Sequence, residues 1–132
     1  MKRLGFLYMM IFVTTFTASS QDIGDHYSGF LNSGYNYIKE IDNSGKGYLL
    51  LKDGNLSVKY YFEDGYCNTV MVISKNKRSV DVIFEKWILE ADSSIVANNG
   101  LTIYKVGDNG AFSYRTQYIK GEKYYILEII KY

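Results

Sequence analysis

Nucleophilic catalysis needs a nucleophile, a base and an orienting group in contact, and this chain offers few candidates: one histidine, His26, and one cysteine, Cys67. His26 stands toward the N-terminal end, where chains are often poorly ordered, and it reads as a solvated surface histidine. Cys67 lies between Tyr66 and Asn68 on a strand-like stretch with no basic neighbour in sequence to lower its pKa. It reads as a buried structural thiol. Residues 42–47, Asp-Asn-Ser-Gly-Lys-Gly, have the opening of a calcium loop, with Asp42 and Ser44 at alternate positions and Gly47 sixth. Lys46, however, takes the third side-chain ligand position, and Asp53 replaces the bidentate Glu at the twelfth. The segment reads as a hairpin turn. Glu63 and Asp64 are adjacent at another turn, and Glu85, Glu90 and Asp92 decorate the polar side of a helix, which is ordinary solvation. A single cysteine excludes a disulfide framework and a Cys-rich zinc site, and no phosphate-loop, nucleophile-elbow or zinc-protease motif is present. No cofactor or metal is expected.

Tyrosine remains. The chain has 14 Tyr in 132 residues and an aromatic fraction of 17%. Most stand on strand-like stretches, where alternation assigns each to one face. In 56–62, Leu56, Val58, Tyr60 and Phe62 suit a core, while Ser57, Lys59 and Tyr61 face out. In 112–119, Phe112, Tyr114 and Tyr118 oppose Ser113, Arg115 and Gln117. In the last strand both sets are largely apolar: Tyr124, Ile126, Ile130 and Tyr132 against Tyr125, Leu127 and Ile129. A sheet covered by helices on one face needs only one such set. The other face is therefore expected to carry an aromatic recognition surface, for which an apolar ring with a polar tip is suited. The alternative is that tyrosine is simply a good strand residue with its hydroxyl in water. The expected surface residues are Tyr61, Arg115, Gln117 and Tyr125, with Asp64 and Tyr66 at a neighbouring turn.

The elements that must hold these residues are legible from spacing. Over 77–91 the apolar residues Val80, Ile83, Phe84, Trp87, Ile88 and Ala91 form one face at helical period, with Asn76 or Ser79 able to cap the start. Asp81 favours the positive end of that helix's dipole. A weaker helix is expected over about 22–32, closed by Gly34. Short strands fill the rest, at 35–41, 48–52, 56–62, 66–74, 94–97, 101–106, 112–119 and 123–131. They are separated by Asp53-Gly54, Asp64-Gly65, Lys120-Gly121 and other Gly- and Asn-rich turns. The fold class expected is α+β: an antiparallel sheet of about 7–8 short strands with two helices on one face. Each half, 21–75 and 76–132, then reads as a helix followed by about four strands, a tandem pseudo-repeat.

Residues 1–20 read as a secretory signal peptide: Lys2 and Arg3, an apolar run from Leu4 to Val13, then small residues with Ala18 and Ser20 placed for cleavage before Gln21. The apolar run is shorter than the ~20 residues that span a bilayer, so the mature chain, a single domain over 21–132, is expected to be secreted or periplasmic with no membrane span. Cleavage removes two basic residues from a chain of formal charge +1, and so balanced a charge argues against nucleic acid as a partner.

In order of elements, a helix and four strands twice after a leader, the chain resembles the secreted beta-lactamase inhibitor proteins. In those, an aromatic sheet face and an acidic hairpin turn contact the target enzyme, and Asp64-Gly65-Tyr66 with Tyr60 and Tyr61 nearby resembles such a turn. The resemblance spans the mature chain at the level of topology, without a shared motif. It departs in one respect, because those inhibitors carry disulfides and a single cysteine forms none within a chain. The reading is a small exported, non-enzymatic module that recognises a protein or glycan through its sheet. The alternatives are a small hydrolase or isomerase with a pocket between sheet and helices, and a purely structural envelope component.

Overall fold

Short glycine turns and alternating strands fold this chain into a single sheet. The computed structural model describes residues 23–108 and 110–131, so the leader reading of 1–20 lies outside the described residues. The elements run α1 (Tyr27–Leu31), β1 (Ile38–Ile41), β2 (Gly47–Asp53), β3 (Leu56–Glu63), β4 (Tyr66–Ser74), α2 (Lys77–Glu90), β5 (Ser93–Val96), β6 (Thr102–Val106), β7 (Gly110–Ile119) and β8 (Glu122–Lys131). All the strands pair antiparallel in the order β1-β2-β3-β4-β8-β7-β6-β5. The α+β expectation holds, with eight strands and two helices among the described residues. Each half is a helix followed by a four-strand meander, and the meanders meet through their last strands, from Thr69↔Ile130 to Ser74↔Tyr125.

Residues paired across antiparallel strands share a face, so the core can be followed along rows. One row runs Leu49, Tyr60, Val70, Ile129, Phe112, Tyr104; the next runs Leu51, Val58, Val72, Leu127, Tyr114. Apart from the half-buried Tyr104 and Tyr114, all of these are buried. Both helices lie on this side. In α1, the Phe30 ring centre is 4.7 Å from that of Tyr60 and 5.3 Å from that of Phe62. In α2, Trp87 stands 5.5 Å from Phe112 and Phe84 4.7 Å from Tyr114. Trp87 is 1% exposed, the core anchor its place in the helical stripe implies. Asn76 caps α2 by accepting the Arg78 and Ser79 N–H groups.

The expected helix over 22–32 contracts to the five residues of α1. Its first residues spend their backbone on the sheet instead: Gly24 N–H donates to Cys67 O at 2.7 Å, Cys67 N–H to Asp25 O at 2.8 Å, and Tyr27 N–H to Gly65 O at 3.0 Å. These bonds dock the N-terminal segment on the β3–β4 hairpin, and His26 becomes the helix cap, its Nδ1 accepting Ser28 N–H. The histidine is thus a half-buried structural residue, packed edge-on against Tyr66, and not the freely solvated one expected. Cys67 is buried, in agreement with a structural thiol.

Both innermost hairpins turn on a residue pair with positive φ, Asp64-Gly65 and Lys120-Gly121, as two-residue turns require. Their surroundings differ. A Cβ on Gly65 would stand 2.7 Å from His26 Nε2, whereas around Gly121 there is open space. In urea melts Gly121→Ala should cost about 1 kcal/mol for the left-handed backbone alone. Gly65→Ala should cost at least twice that, because His26 must also move and the α1 cap is lost. Equal losses would show that the docked segment does not hold the β3–β4 tip.

Candidate recognition surface

Alternation that buries one side of the sheet presents much of the other, where Ile126 and Ala111 are nonetheless buried. Among the described residues, neither helix covers the face bearing Tyr48, Lys59, Tyr61, Thr69, Met71, Arg115, Gln117, Tyr124 and Glu128. Tyr48 and Tyr61 are cross-strand partners with ring centres 6.3 Å apart. The Lys59 ammonium lies 4.0 Å from the Tyr48 ring centre and 5.0 Å from that of Tyr61. A cation over two aromatic faces fixes both rings while leaving them half-exposed. Beside them is a shallow groove of about 430 Å³, lined by Tyr48, Tyr61, Thr69, Met71, Asn68 and Glu128, among others. Asn68 reaches it through a bulge: Tyr61 pairs with Thr69 but Phe62 with Cys67, so Asn68 is the extra residue on β4. Its amide donates to Glu63 at 3.2 Å. On the other flank Arg115 forms an ion pair with Glu128 at 3.1 Å. The groove therefore has aromatic and thioether walls with carboxylates at its ends, suited to burying an apolar group between hydrogen-bonding partners.

The expected site residues fall in three places. Tyr61, Arg115 and Gln117 are on this face. Asp64 and Tyr66 are at the β3–β4 tip, where Tyr66 is exposed beside the His26 ring. Tyr125 is a correction: it pairs with Ser74 and Thr116 and packs half-buried against the core on the helix-bearing face. Of the two apolar sets on the last strand, the one containing Leu127 faces the helices, and Tyr125 goes with it. The open-face tyrosine of β8 is Tyr124. Tyr48, Met71 and Glu128 were missed. Once Tyr61 faces out, the register of β2, β4 and β8 puts them beside it, but register across strands is not written in any single segment.

A second concavity, about 590 Å³, opens on the helix side between Lys77, Leu101, Tyr114, Thr116 and Tyr125, among others. Asp81 of α2 stands behind it. Tyr114 donates its hydroxyl to Asp81 Oδ1 at 2.5 Å and Lys77 donates to Oδ2 at 2.6 Å. Burial pushes the Asp81 carboxyl up, but the hydrogen bonds from Lys77 and Tyr114 outweigh it and hold the group below its ordinary range. Burial, with the bond to Asp81, raises the Tyr114 hydroxyl well above an ordinary tyrosine. The Asp42–Gly47 segment is the β1–β2 turn, as expected. Its carboxylate accepts the Ser44 hydroxyl and the Ser44 and Lys46 N–H groups through one oxygen.

Comparison with protein families, curated proteins and solved structures finds no match. The likeness to the beta-lactamase inhibitor proteins accordingly rests on the order of elements alone.

The Asp81–Tyr114 bond sets a pH dependence. Asp81 is lowered in the fold, so its stabilisation is present above the unfolded carboxyl pKa of about 4 and is lost as pH falls through the lower folded value. Tyr114 is raised, so its stabilisation is present below an unfolded pKa of about 10 and is lost as pH rises beyond it. Tyr114→Phe should therefore lower Tm at pH 7 and bring it closer to wild type at both pH 3 and pH 11. A constant Tm difference across that range would show that the bond does not contribute.

Proposed function

We propose that the protein is a small exported, non-enzymatic recognition module that holds a protein or glycan partner against the helix-free face of its sheet. The observation that carries this reading is the Tyr48–Lys59–Tyr61 cluster beside its groove. Two aromatic rings are held in place by a cation on the face that neither helix covers among the described residues. Rigid, half-exposed tyrosines lose little conformational freedom on binding, and for that reason they concentrate binding energy. A hydrolase or isomerase finds less support, because the carboxylate beside the helix-side cleft, Asp81, is already engaged through both its oxygens by Tyr114 and Lys77. Inhibition of an enzyme is one form that recognition by such a face takes in proteins with this order of elements.

The full chain, immobilised and passed through the native culture medium and envelope extract, should retain a partner that the double variant Tyr48→Ala/Tyr61→Ala loses by tenfold or more. That variant should keep most of its stability, since each exposed cross-strand aromatic contributes only about 1 kcal/mol. Tyr60→Ala, one residue away but buried at 3% exposure, should cost about 3–5 kcal/mol. Undiminished capture by the double variant would sink the assignment of the face. A protein that retains only itself, with light scattering showing an oligomer, would favour the structural-component reading instead. The exported chain should also begin at Gln21 on N-terminal sequencing; an intact Met1 on the exported protein would remove the leader reading.

A further inference from the structure

The two halves share one plan, and where the second departs from it β7 is left, among the described residues, with an unpaired edge. Counting back from the tips Asp64-Gly65 and Lys120-Gly121, Tyr60, Tyr61 and Phe62 of β3 occupy the stations of Thr116, Gln117 and Tyr118 of β7. In the first half, Leu49, Tyr48 and Gly47 of β2 pair with those three residues. In the second half, the pairing of β6 with β7 ends at Ile103↔Ser113. Beyond it the chain turns away. Gly100 N–H goes to Ala97 O, Ala97 N–H to Leu101 O, and Leu101 N–H also to the Asn99 side chain. Among the described residues no strand stands beside residues 116–119.

The orientation of the unpaired groups follows from the turn. Ile119 and Glu122 flank a two-residue tip, so they form a hydrogen-bonded pair, and alternate residues from Ile119 inward point their N–H and C=O at β8. Thr116 and Tyr118 then point theirs outward. Proteins usually blunt such an edge with prolines, bulges or a covering loop. Here the strand is ten residues long and Tyr118 beside the edge is 69% exposed. The 590 Å³ cleft opens alongside, over Thr116. In the first half the matching station, opposite Tyr60, is filled by Leu49, which is fully buried. The surroundings are net basic: Lys77, which lines the cleft, is paired with Asp81 and Glu122 beside the tip with Lys75, which leaves in excess the charges of Lys120 at the tip and of Lys123, whose ammonium lies 5.4 Å from the Tyr125 ring centre.

We propose that the outer edge of β7 at residues 116–119 receives an extended, acidic segment of a partner protein as an added antiparallel strand, one large apolar side chain entering the cleft over Thr116. The first half supplies the template, since its own residues 47–49 make this addition with a leucine at that station. The basic frame selects the charge. Main-chain bonds give such an added strand its affinity and the alternate side chains its specificity. The site is on the edge and helix side of the sheet, separate from the Tyr48–Lys59–Tyr61 face, and does not depend on it.

The probe is a fluorescein-labelled peptide, Asp-Gly-Glu-Leu-Glu-Asp, titrated into the full chain by anisotropy, with Lys-Gly-Lys-Leu-Lys-Lys as the charge control. Saturable binding of the acidic peptide, at least tenfold tighter than of the basic one, is expected. In amide NMR spectra the Thr116 and Tyr118 signals should move, and those of Tyr48 and Tyr61 should not. Thr116→Pro removes an N–H that points away from β8, so the hairpin keeps its own ladder, and it should weaken the peptide about tenfold. If that variant fails to fold, N-methylation of the peptide backbone makes the same test from the other side. Three results would overturn the proposal: no saturable binding, shifts confined to Tyr48 and Tyr61, or a free protein that is a dimer with its Thr116 and Tyr118 amides already protected by a second copy.

Discussion

The pairing of β4 with β8 is the constraint on which the rest of the molecule depends. A four-strand meander with one helix has little apolar surface to bury, and each of these two would expose its last strand as an open edge. Joining them at Thr69–Ser74 and Tyr125–Ile130 removes both edges and merges two small cores into one. The residues at this seam, Val70, Val72, Leu127 and Ile129, are all fully buried. Because the join is antiparallel and in register, it also fixes which side chains of one half stand on the same face as those of the other. The side of the sheet on which Tyr61 and Arg115 both appear is a consequence of that one ladder.

Much of this was legible in local chemistry. Strand ends fall at Asp53-Gly54, Asp64-Gly65 and Lys120-Gly121 because only short turns with positive φ connect twisted antiparallel strands directly. The α2 helix follows from its apolar period and its Asn76 cap. The inward set of β3 was readable because Leu56, Val58, Tyr60 and Phe62 alternate with polar residues. In β8 both sets are apolar, so alternation alone could not orient it. Its face is decided by Phe112 and Tyr114 across the ladder and by α2 above them, which is why Tyr125 turned out to lie under the helices. The α1 segment was hidden for a related reason. Its helical spacing competes with hydrogen bonds to Gly65 and Cys67, some forty residues away in sequence, and no local pattern records that competition.

The tyrosines, read first as one surplus, divide by role once the faces are known. Tyr27, Tyr35, Tyr37, Tyr60, Tyr104, Tyr114 and Tyr125 pack on the helix side, where α1 and α2 are each held to their own strands by rings. In the first half the contacts are Phe30 with Tyr60 and Phe62; in the second they are Phe84 and Trp87 with Tyr104, Phe112 and Tyr114. Most of the aromatic excess is therefore structural, a way to build a core from short strands without a disulfide. Tyr48, Tyr61 and Tyr124 are left on the open face, and the first two are the pair with a lysine between them. The proposed recognition surface is narrower than the composition suggests, and better defined.

The differences between the halves say more about function than what they share. Where the plan repeats, residues answer to packing: a helix on rings, an apolar row, a glycine at a tip. Where it breaks, packing has released the chain. The first hairpin tip is held by Gly45, His26 and the N-terminal segment, and a bulge turns Asn68 toward the groove beside it. Among the described residues the second tip has no such backbone support, and β6 stops short of it. A docked tip with a shaped groove next to it suits a surface read by side chains, because its geometry is fixed before contact. A projecting hairpin with outward N–H and C=O groups suits a surface read by backbone, whose partner can complete a strand the molecule has not supplied. One duplicated plan thus yields two kinds of surface, and the asymmetry of their support is the physical reason they differ.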